Sequence, residues 1–233
     1  MNTSKRVRKM EMMDDFSIDG PVLHDTLRKL SQINKWLGGN SITIDGLKKL
    51  LNDHPKSKKI SILDLGCGSG DTLRDVAKFG TKAGYSFELT GIDANKHVVE
   101  YAKSQAGIHE NITFIECNIF SEEFKNLDFD LVICSLFLHH FEEEQLTEIL
   151  SYILNKASIG ILVNDLHRNS IAYFLFKSLC MFISNEMVVE DGLTSIQRGF
   201  KYKELKRLSE KMDSNYRITW KWAFRYQWLI QNK

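Results

Sequence analysis

A glycine-rich segment carries the strongest chemical signal in the sequence. Residues 64–70 read Asp-Leu-Gly-Cys-Gly-Ser-Gly, and they end an apolar run over residues 60–65. Glycines at every second position allow the backbone to turn sharply and to come close to a ligand. The spacing excludes the nicotinamide fingerprint G-x-G-x-x-G, because its third glycine would fall on Asp71. It also excludes a P-loop, since no Gly-Lys-Ser/Thr follows.

An acidic residue, Asp93, ends a second apolar run over residues 87–92. In a doubly wound sheet, the carboxyl ends of the first two strands lie side by side at the ligand crevice. A carboxylate at this point can accept hydrogen bonds from the hydroxyls of a ribose. The alternative is that Asp93 caps the helix that follows it. Taken together with the glycine segment, Asp93 favours a site for a nucleoside.

Three histidines could transfer a proton in the same crevice. His139 and His140 follow the apolar run of residues 129–134, and His167 follows the run of residues 159–163. Histidine has an unperturbed pKa of about 6.5, so it can take a proton from a phenol. We rank His167 first as the base. The alternatives are that His167 is an ordinary loop residue, and that the histidine pair only packs to fix its own loop.

The elements that must position these residues alternate between strand and helix. Five apolar strands separated by helical stripes are predicted between residues 59 and 165, which indicates a parallel sheet covered on both faces. Two helices precede the sheet, between Pro21 and Pro55, after a solvated tail over residues 1–12. An apolar helix over residues 171–183 follows the fifth strand. Alternating aromatic residues over 220–228 are typical of a half-buried strand; the favoured fold requires two strands joined by a hairpin here, but no turn residues mark its position.

Composition narrows the class of protein. Lys and Arg number 31 against 30 Asp and Glu, and this net charge of +1 argues against binding to nucleic acid backbones. The four cysteines are scattered without metal-binding spacing, so we expect reduced, mostly buried thiols and no metal site. Residues 171–183 are too short for a bilayer span, which needs about 20 apolar residues. We therefore expect a soluble, cytoplasmic chain without a membrane span.

Three motifs in the correct order resemble the class I S-adenosylmethionine-dependent methyltransferases. They are the glycine segment, Gly-Ile-Asp at residues 91–93 and Phe-Asp-Leu-Val at residues 129–132. The resemblance implies an α/β fold: a doubly wound, mostly parallel seven-stranded sheet with helices on both faces, an N-terminal helical cap and a helical insertion after strand five. It also implies a tail and cap helices over residues 1–57, and a cofactor-binding domain over residues 58–233 with a lid at residues 166–200.

The resemblance assigns S-adenosylmethionine as the cofactor, with S-adenosylhomocysteine as the product. Asp64 would hold its ammonium group, Asp93 its ribose, and Ala94 would pack on its adenine. Asn118 stands where the family often has an aspartate that accepts from the adenine amino group. The implied cofactor-binding set is completed by Gly66, Cys67, Gly68, Gly70, Ile119, Cys134 and Ser135. Residues 12–15 would close over the cofactor from the other side.

The loop after strand four bears on the methyl acceptor. Family members that methylate base amines or glutamine carry Asn/Asp-Pro-Pro-Tyr there, whereas this chain has Cys134-Ser-Leu-Phe-Leu-His-His and resembles the small-molecule branch. Residues 164–169, 197–200 and 222–226 resemble bacterial methyltransferases of polyketide-type phenol biosynthesis, which makes Arg198 and Arg225 candidates for anion contacts. The expected reaction is methylation of a small, aromatic or apolar hydroxyl acceptor by a monomer or homodimer.

Three alternatives to this reaction stay open. The first is C-methylation of a quinone-like or phenol-like ring, which uses the same deprotonated phenol. The second is methylation of RNA or protein, and the third is a cofactor-binding module without turnover. A hydroxyl acceptor must lose its proton, so the predicted O-methylation needs a general base, for which the three histidines are the candidates.

Overall fold

The computed structural model describes residues 2–107 and 109–233, and its centre is a seven-stranded sheet with the strand order β3-β2-β1-β4-β5-β7-β6. Five strands run parallel, and β7 is antiparallel to both β5 and β6. This confirms the predicted fold class. The strands are β1 Lys59–Leu65, β2 Ser86–Asp93, β3 Ile112–Glu116, β4 Leu131–Ser135, β5 Gly160–Leu166, β6 Asn215–Lys221 and β7 Arg225–Gln231.

Helices cover both faces of the sheet in the part of the chain that the structure describes. They are α1 Gly20–Trp36, α2 Gly39–Leu50, α3 Asp71–Ala83, α4 Lys96–Gln105, α5 Glu122–Lys125, α6 Glu143–Lys156, α7 Ser170–Cys180, α8 Glu186–Arg198 and α9 Tyr202–Lys211. Each of these described helices is too short or too polar to cross a bilayer. The division at residues 57 and 58 and the lid over residues 166–200 stay predictions.

The core lies in two layers because the central strands are apolar on both faces. In β1, Leu63 and Leu65 belong to one buried cluster, while Ile60 and Ile62 belong to the other. Successive side chains of a strand point to opposite faces, so an unbroken apolar run fills both layers. This is the pattern from which the buried parallel strands were predicted.

The strand register brings the candidate residues to one edge of the sheet. Asp64 of β1 is level with Ile133 of β4, and Ser135 of β4 is level with Asn164 of β5. Leu166, at the end of β5, is level with Arg225, where the antiparallel strand β7 begins. The carboxyl ends of four parallel strands and the amino end of β7 therefore surround one crevice.

Several boundaries differ from the sequence prediction. β5 continues to Leu166, so Asp165 lies within the strand. Its charge is tolerated in the core because the buried ring of His139 pairs with it. The alternating aromatic run crosses a hairpin turn between β6 and β7, with Phe224 in the left-handed region at φ 53°. Helix α5, a single turn, was not predicted, and α8 was expected only as part of the helical insertion over residues 166–200.

The N-terminal segment is not the solvated tail that the sequence suggested. Glu11 is buried, and Arg6 donates hydrogen bonds to the carbonyl oxygens of Arg198 at 2.7 Å and His139 at 2.6 Å. The backbone amides of Met12 and Met13 donate to the carboxylate of Asp191 on α8. Its charged residues hold the segment across the crevice. The sequence suggested a solvated tail because the partners of these charges lie far away in the chain.

Candidate active site

A cavity of about 1100 Å³ lies over the carboxyl edge of the sheet. Its walls come from the ends of β1, β2 and β4, from helices α1, α7 and α8, and from the N-terminal segment. Binding sites for a single small ligand usually enclose about 300–1000 Å³. The cavity therefore has room for two molecules side by side, as a group-transfer reaction requires.

The glycine segment forms the floor of this cavity, and its glycines serve different needs. Gly68 has φ of 51°, and a Cβ atom there would enter open space. Gly66 has φ of 63°, and a Cβ atom there would lie 2.1 Å from the ring of Phe137. Gly66 thus allows the loop after β4 to pack closely, while Gly68 is the point where a ligand can approach the backbone.

Asp64 is a buried acid without a hydrogen-bond partner among the residues that the structure describes. It is 2% exposed, and its Oδ1 makes no hydrogen bond with any described residue. Burial raises the pKa of Asp64 well above its usual range, and the nearby charges of Asp71 and Asp93 raise it further. A buried carboxylate without a partner is costly. A cationic group entering the cavity at this point would relieve that cost.

Asp93 is held by backbone amides at the end of β2. Its carboxylate accepts hydrogen bonds from the amides of Asn95 at 3.1 Å and Gly68 at 3.4 Å. Burial raises the pKa of Asp93, and these amides oppose the rise. Asn95, rather than Asp93, caps helix α4, because its side chain accepts from the amide of His97. Asp93 thus remains free to face the cavity, which it lines.

The other predicted cofactor residues divide into two groups. Cys67, Ala94, Asn118, Ile119 and Ser135 line the cavity. Cys134 is fully buried in the core, and a Cβ atom at Gly70 would lie 2.4 Å from the ring of Phe114. Gly70 and Cys134 therefore shape the site from behind.

His139 lies between two buried acids. Its Nδ1 is 2.7 Å from Oδ1 of Asp165, and its Nε2 is 3.5 Å from Oε1 of Glu11. Burial disfavours the charged ring, but the two carboxylates prevail and raise the pKa of His139 to about 9. With this pKa the ring is protonated at neutral pH, and its positive charge links Glu11 of the N-terminal segment to Asp165 of β5. A protonated ring has no lone pair with which to accept a proton.

His140 has the orientation of a general base. Its Nδ1 is 2.7 Å from Oδ1 of Asp14, whose second oxygen accepts from Arg198 at 2.8 Å. Burial opposes ionisation of Asp14, but the contacts with His140 and Arg198 hold its pKa well below the usual range. Because an ionised carboxylate can only accept, Nδ1 of His140 carries a proton. In the neutral ring the lone pair is then on Nε2, which lies 3.9 Å from Oε2 of Glu11, and the side chain lines the cavity.

His167 also lines the cavity, but its ring nitrogen is engaged elsewhere. Its Nδ1 is 3.3 Å from the indole nitrogen of Trp220, which can only donate. Burial lowers the pKa of His167 to about 4, and the nearby charges of Lys201 and Arg168 add to this. The neutral ring therefore keeps its proton on Nε2, where it can donate a hydrogen bond.

The partners of the histidine pair escaped sequence reasoning, apart from the expectation that residues 12–15 close over the site. Nitrogen and oxygen atoms of Glu11, His139 and His140 lie within 4.8 Å of one another, a spacing from which a metal ion could be bound. The proton on His139 opposes such a use, since a ligand nitrogen must be unprotonated. Asp165 holds His139, and nothing in the spacing of the sequence indicates that pairing.

The two arginines that were candidates for anion contacts are both buried. Arg198 is satisfied by Asp14 and by the carbonyl oxygens of His139 and His140. Arg225 lines the cavity, and its Nε and Nη1 have no hydrogen-bond partner among the described residues. Arg198 therefore fixes the histidine loop, while Arg225 is open to a ligand.

The roof of the cavity is apolar. Leu175, Phe176, Leu179, Met181 and Phe182 of α7 and the turn after it line the cavity. The rim exposes Phe182, Trp36 and Trp222, which are 85%, 74% and 64% exposed. An exposed apolar rim around a concave site marks a surface that meets an apolar ligand.

Comparison with known proteins agrees with this geometry. The chain is 31% identical over 134 residues to the ubiquinone biosynthesis O-methyltransferase of Rickettsia canadensis, covering 55% of this chain and 52% of the relative. It is 28% identical over 144 residues to the 2-phytyl-1,4-naphtoquinone methyltransferase of Nostoc, covering 59% of each. The chain thus spans little more than half the length of these curated relatives.

Solved structures share the fold. The plantazolicin methyltransferase BpumL, in complex with S-adenosylhomocysteine, superposes with a TM-score of 0.64 at 19% identity, covering 91% of this chain and 95% of that one. Human N-acetylserotonin methyltransferase with S-adenosylmethionine gives a TM-score of 0.62 at 17% identity, covering 90% and 55%. At these identities the likeness shows that the fold is shared.

The profile of the methyltransferase domain family matches residues 56–225, which include the glycine segment, Asp93 and all three candidate histidines. The match extends from just before β1 to the first residue of β7, and so takes in the five parallel strands. Together with the shared fold it confirms the resemblance seen in the motifs. The chain belongs to the methyltransferase domain family.

Proposed function

We propose that the chain transfers the methyl group of S-adenosylmethionine to the hydroxyl oxygen of a small aromatic acceptor, with His140 as the general base. The observation that carries this proposal is the Asp14–His140 pair on the wall of an apolar cavity. An acceptor hydroxyl must lose its proton as the new bond to oxygen forms. His140 lines the cavity, and with Nδ1 facing Asp14 its neutral ring would accept a proton on Nε2, which lies 3.9 Å from Oε2 of Glu11.

The floor of the cavity fits the cofactor. Asp64 offers a buried, unpartnered oxygen for an ammonium group, Asp93 offers a carboxylate for ribose hydroxyls, and Gly68 leaves room above the backbone. When bound, S-adenosylmethionine supplies an electrophilic methyl group on a sulfonium. The chain has to align the acceptor with that group and exclude water, and such positioning supplies much of the rate in bimolecular transfers.

The apolar roof favours an aromatic acceptor that carries an alkyl group. Side chains of α7 and of the following turn give apolar cover above the cavity, and the exposed rim extends this surface outward. Burial of apolar surface contributes about 25 cal/mol per Å². An alkyl chain lying along the rim would therefore add affinity, while a ring in the cavity would bring its hydroxyl to His140.

His140 and His167 would divide the work between them. Asp14 keeps the proton of His140 on Nδ1 and stabilises the positive charge that the ring gains on taking the acceptor proton. His167 presents an N–H group, which can hold an acceptor oxygen but cannot deprotonate it without losing Trp220. His139 fixes the loop that carries His140, since its ring lies between Asp165 of β5 and Glu11 of the N-terminal segment.

A panel of acceptors tests this proposal. The protein would be incubated with methyl-labelled S-adenosylmethionine and with 5-pentadecylresorcinol, 5-methylresorcinol, a phenol-free alkylamine or a short peptide. We expect transfer to the resorcinols, with a lower KM for the long-chain compound, and a methyl ether as the product. A ring-methylated product would show that the acceptor atom is a ring carbon and would overturn the assignment of the hydroxyl oxygen. Transfer to the amine or the peptide alone would overturn the acceptor class.

A further inference from the structure

Arg225 is a buried cation that the reaction proposed above does not use. It begins β7 at the hairpin turn, is 3% exposed, and lines the cavity. Its Nε and Nη1 make no hydrogen bond with the described residues. An arginine almost never lies fully buried without a partner, because the desolvation of its charge is costly. A ligand that carries an anion would supply the missing partner.

The neighbouring acids are already engaged. Asp71 accepts from Ser69 at 2.7 Å and from Asn40 at 2.9 Å. Asp165 accepts from the ring of His139 at 2.7 Å and from the amide of Leu166 at 2.7 Å. Both carboxylates raise the pKa of Arg225 against the larger effect of burial, but neither forms a hydrogen bond with it. Arg225 thus keeps its charge with its donors free.

Three of the side chains on the cavity wall that have unpartnered polar atoms divide into acceptors and donors. Asp64 and Asn34 line the cavity and each has a buried oxygen without a donor, whereas Arg225 has buried donors without an acceptor. Asn34 and Arg225 are close, because a Cβ atom at Gly39 would lie 1.9 Å from Oδ1 of Asn34 and 2.7 Å from Nη1 of Arg225. One ligand group that presents both a cation and an anion, an α-amino acid, satisfies both the acceptors and the donors.

A polar chain connects the surroundings of Arg225 to the glycine segment. The side chain of Asn34 donates to Asn40 at 2.6 Å, and Asn40 donates to Asp71, the first residue of α3. The amide of Asn34 is thereby turned so that its oxygen remains open. This links Arg225 to the floor of the cavity where a nucleoside-bearing ligand would lie, and not to the apolar roof.

We propose that Arg225 binds the carboxylate of the methionyl end of S-adenosylmethionine, while Asp64 and Asn34 accept from its ammonium group. A guanidinium offers paired N–H donors that match a carboxylate, and such charge-assisted bonds are among the stronger ones in proteins. The proposal rests on the use of this cofactor and is independent of the acceptor. It gives the hairpin between β6 and β7 a part in recognising the cofactor.

Titration calorimetry without any acceptor tests this assignment. The ligands are S-adenosylhomocysteine, its decarboxylated analogue S-adenosyl-3-thiopropylamine, and 5′-methylthioadenosine, which lacks the whole amino acid. We expect the unmodified protein to prefer S-adenosylhomocysteine to the decarboxylated analogue by at least about 10-fold. A preference of less than about threefold would contradict the proposal, even if no variant of Arg225 folds.

The matched variants are Arg225→Met and Arg217→Met. Arg217 is an exposed arginine on the adjacent strand β6, so its loss should change no affinity. Arg225→Met should weaken S-adenosylhomocysteine about 10- to 100-fold and leave the two other ligands within about threefold. Equal weakening of all three ligands would mean that Arg225 only supports the fold. Unchanged S-adenosylhomocysteine affinity with a raised acceptor KM would assign Arg225 to the acceptor instead.

Discussion

Nδ1 of His139 lies 2.7 Å from Oδ1 of Asp165, and both side chains are only 2% exposed. This pair joins the loop after β4 to the end of β5. On the far side of the ring, Nε2 lies 3.5 Å from Glu11 of the N-terminal segment. One protonated histidine thus ties together the three parts of the chain that enclose the candidate base His140.

The His139 ion pair makes stability depend on alkaline pH. Its folded-state pKa of about 9 exceeds the unfolded value of about 6.5, so its contribution is complete below about pH 6.5 and is lost as pH rises through 9. We expect the free energy of unfolding, measured in urea, to fall between pH 7 and pH 10. His139→Gln leaves the buried Asp165 without its cation and should cost about 3–5 kcal/mol at pH 7. An equally steep alkaline loss in that variant would contradict the assignment.

The variant His140→Gln distinguishes the proposed role of His140 as the base from the roles of the neighbouring histidines. The change removes the proton acceptor on the cavity side, and loss of a general base typically costs about 10²- to 10⁴-fold in rate. We expect kcat to fall in that range, while calorimetric affinity for S-adenosylhomocysteine stays within about threefold. His167→Gln is the matched control, with a smaller loss of rate. A larger loss from His167→Gln than from His140→Gln would return the role of base to His167.

Gly68→Ala tests the open space above the glycine segment. Gly68 and Gly84 both have positive φ, of 51° and 79°, and a Cβ atom at either would meet no protein atom within 4 Å. Each change to alanine should cost about 1–2 kcal/mol of backbone strain, seen as a lower Tm. Because only Gly68 lines the cavity, only Gly68→Ala should also weaken S-adenosylhomocysteine, by at least about 10-fold. Equal affinity of Gly68→Ala and Gly84→Ala for S-adenosylhomocysteine would show that the cofactor does not bind above the glycine segment.

Removal of divalent metals should leave methyl transfer unchanged. Glu11, His139 and His140 have the spacing of a metal site, but Asp165 and Glu11 raise the pKa of His139, which favours a protonated ring over a metal ligand. We therefore expect EDTA at millimolar concentration to leave kcat unaltered, and added Mg²⁺ or Zn²⁺ to give no activation. A loss of activity that a divalent metal restores would show that these three residues bind an ion.

Local patterns in the sequence predicted which residues meet at the edge of the sheet where we propose that the cofactor binds. The glycine segment and Asp93 each end a strand, and the order of parallel strands brings such ends to one edge. The partner of the proposed base could not be predicted, because Asp14 lies 126 residues before His140 and is paired with it only by the path of the N-terminal segment. Arg225 appears in sequence as one residue of an alternating aromatic run. Its burial follows from the hairpin turn, which that run conceals.

The most direct test of the account is the destination of a labelled methyl group. The protein would be incubated with methyl-labelled S-adenosylmethionine and an extract of its source cells, and the label would be divided among organic-soluble, nucleic-acid and protein fractions. Our account predicts label in the organic-soluble fraction, on an aromatic ether, and its loss with His140→Gln. Label in the nucleic-acid or protein fraction would contradict the small-molecule acceptor.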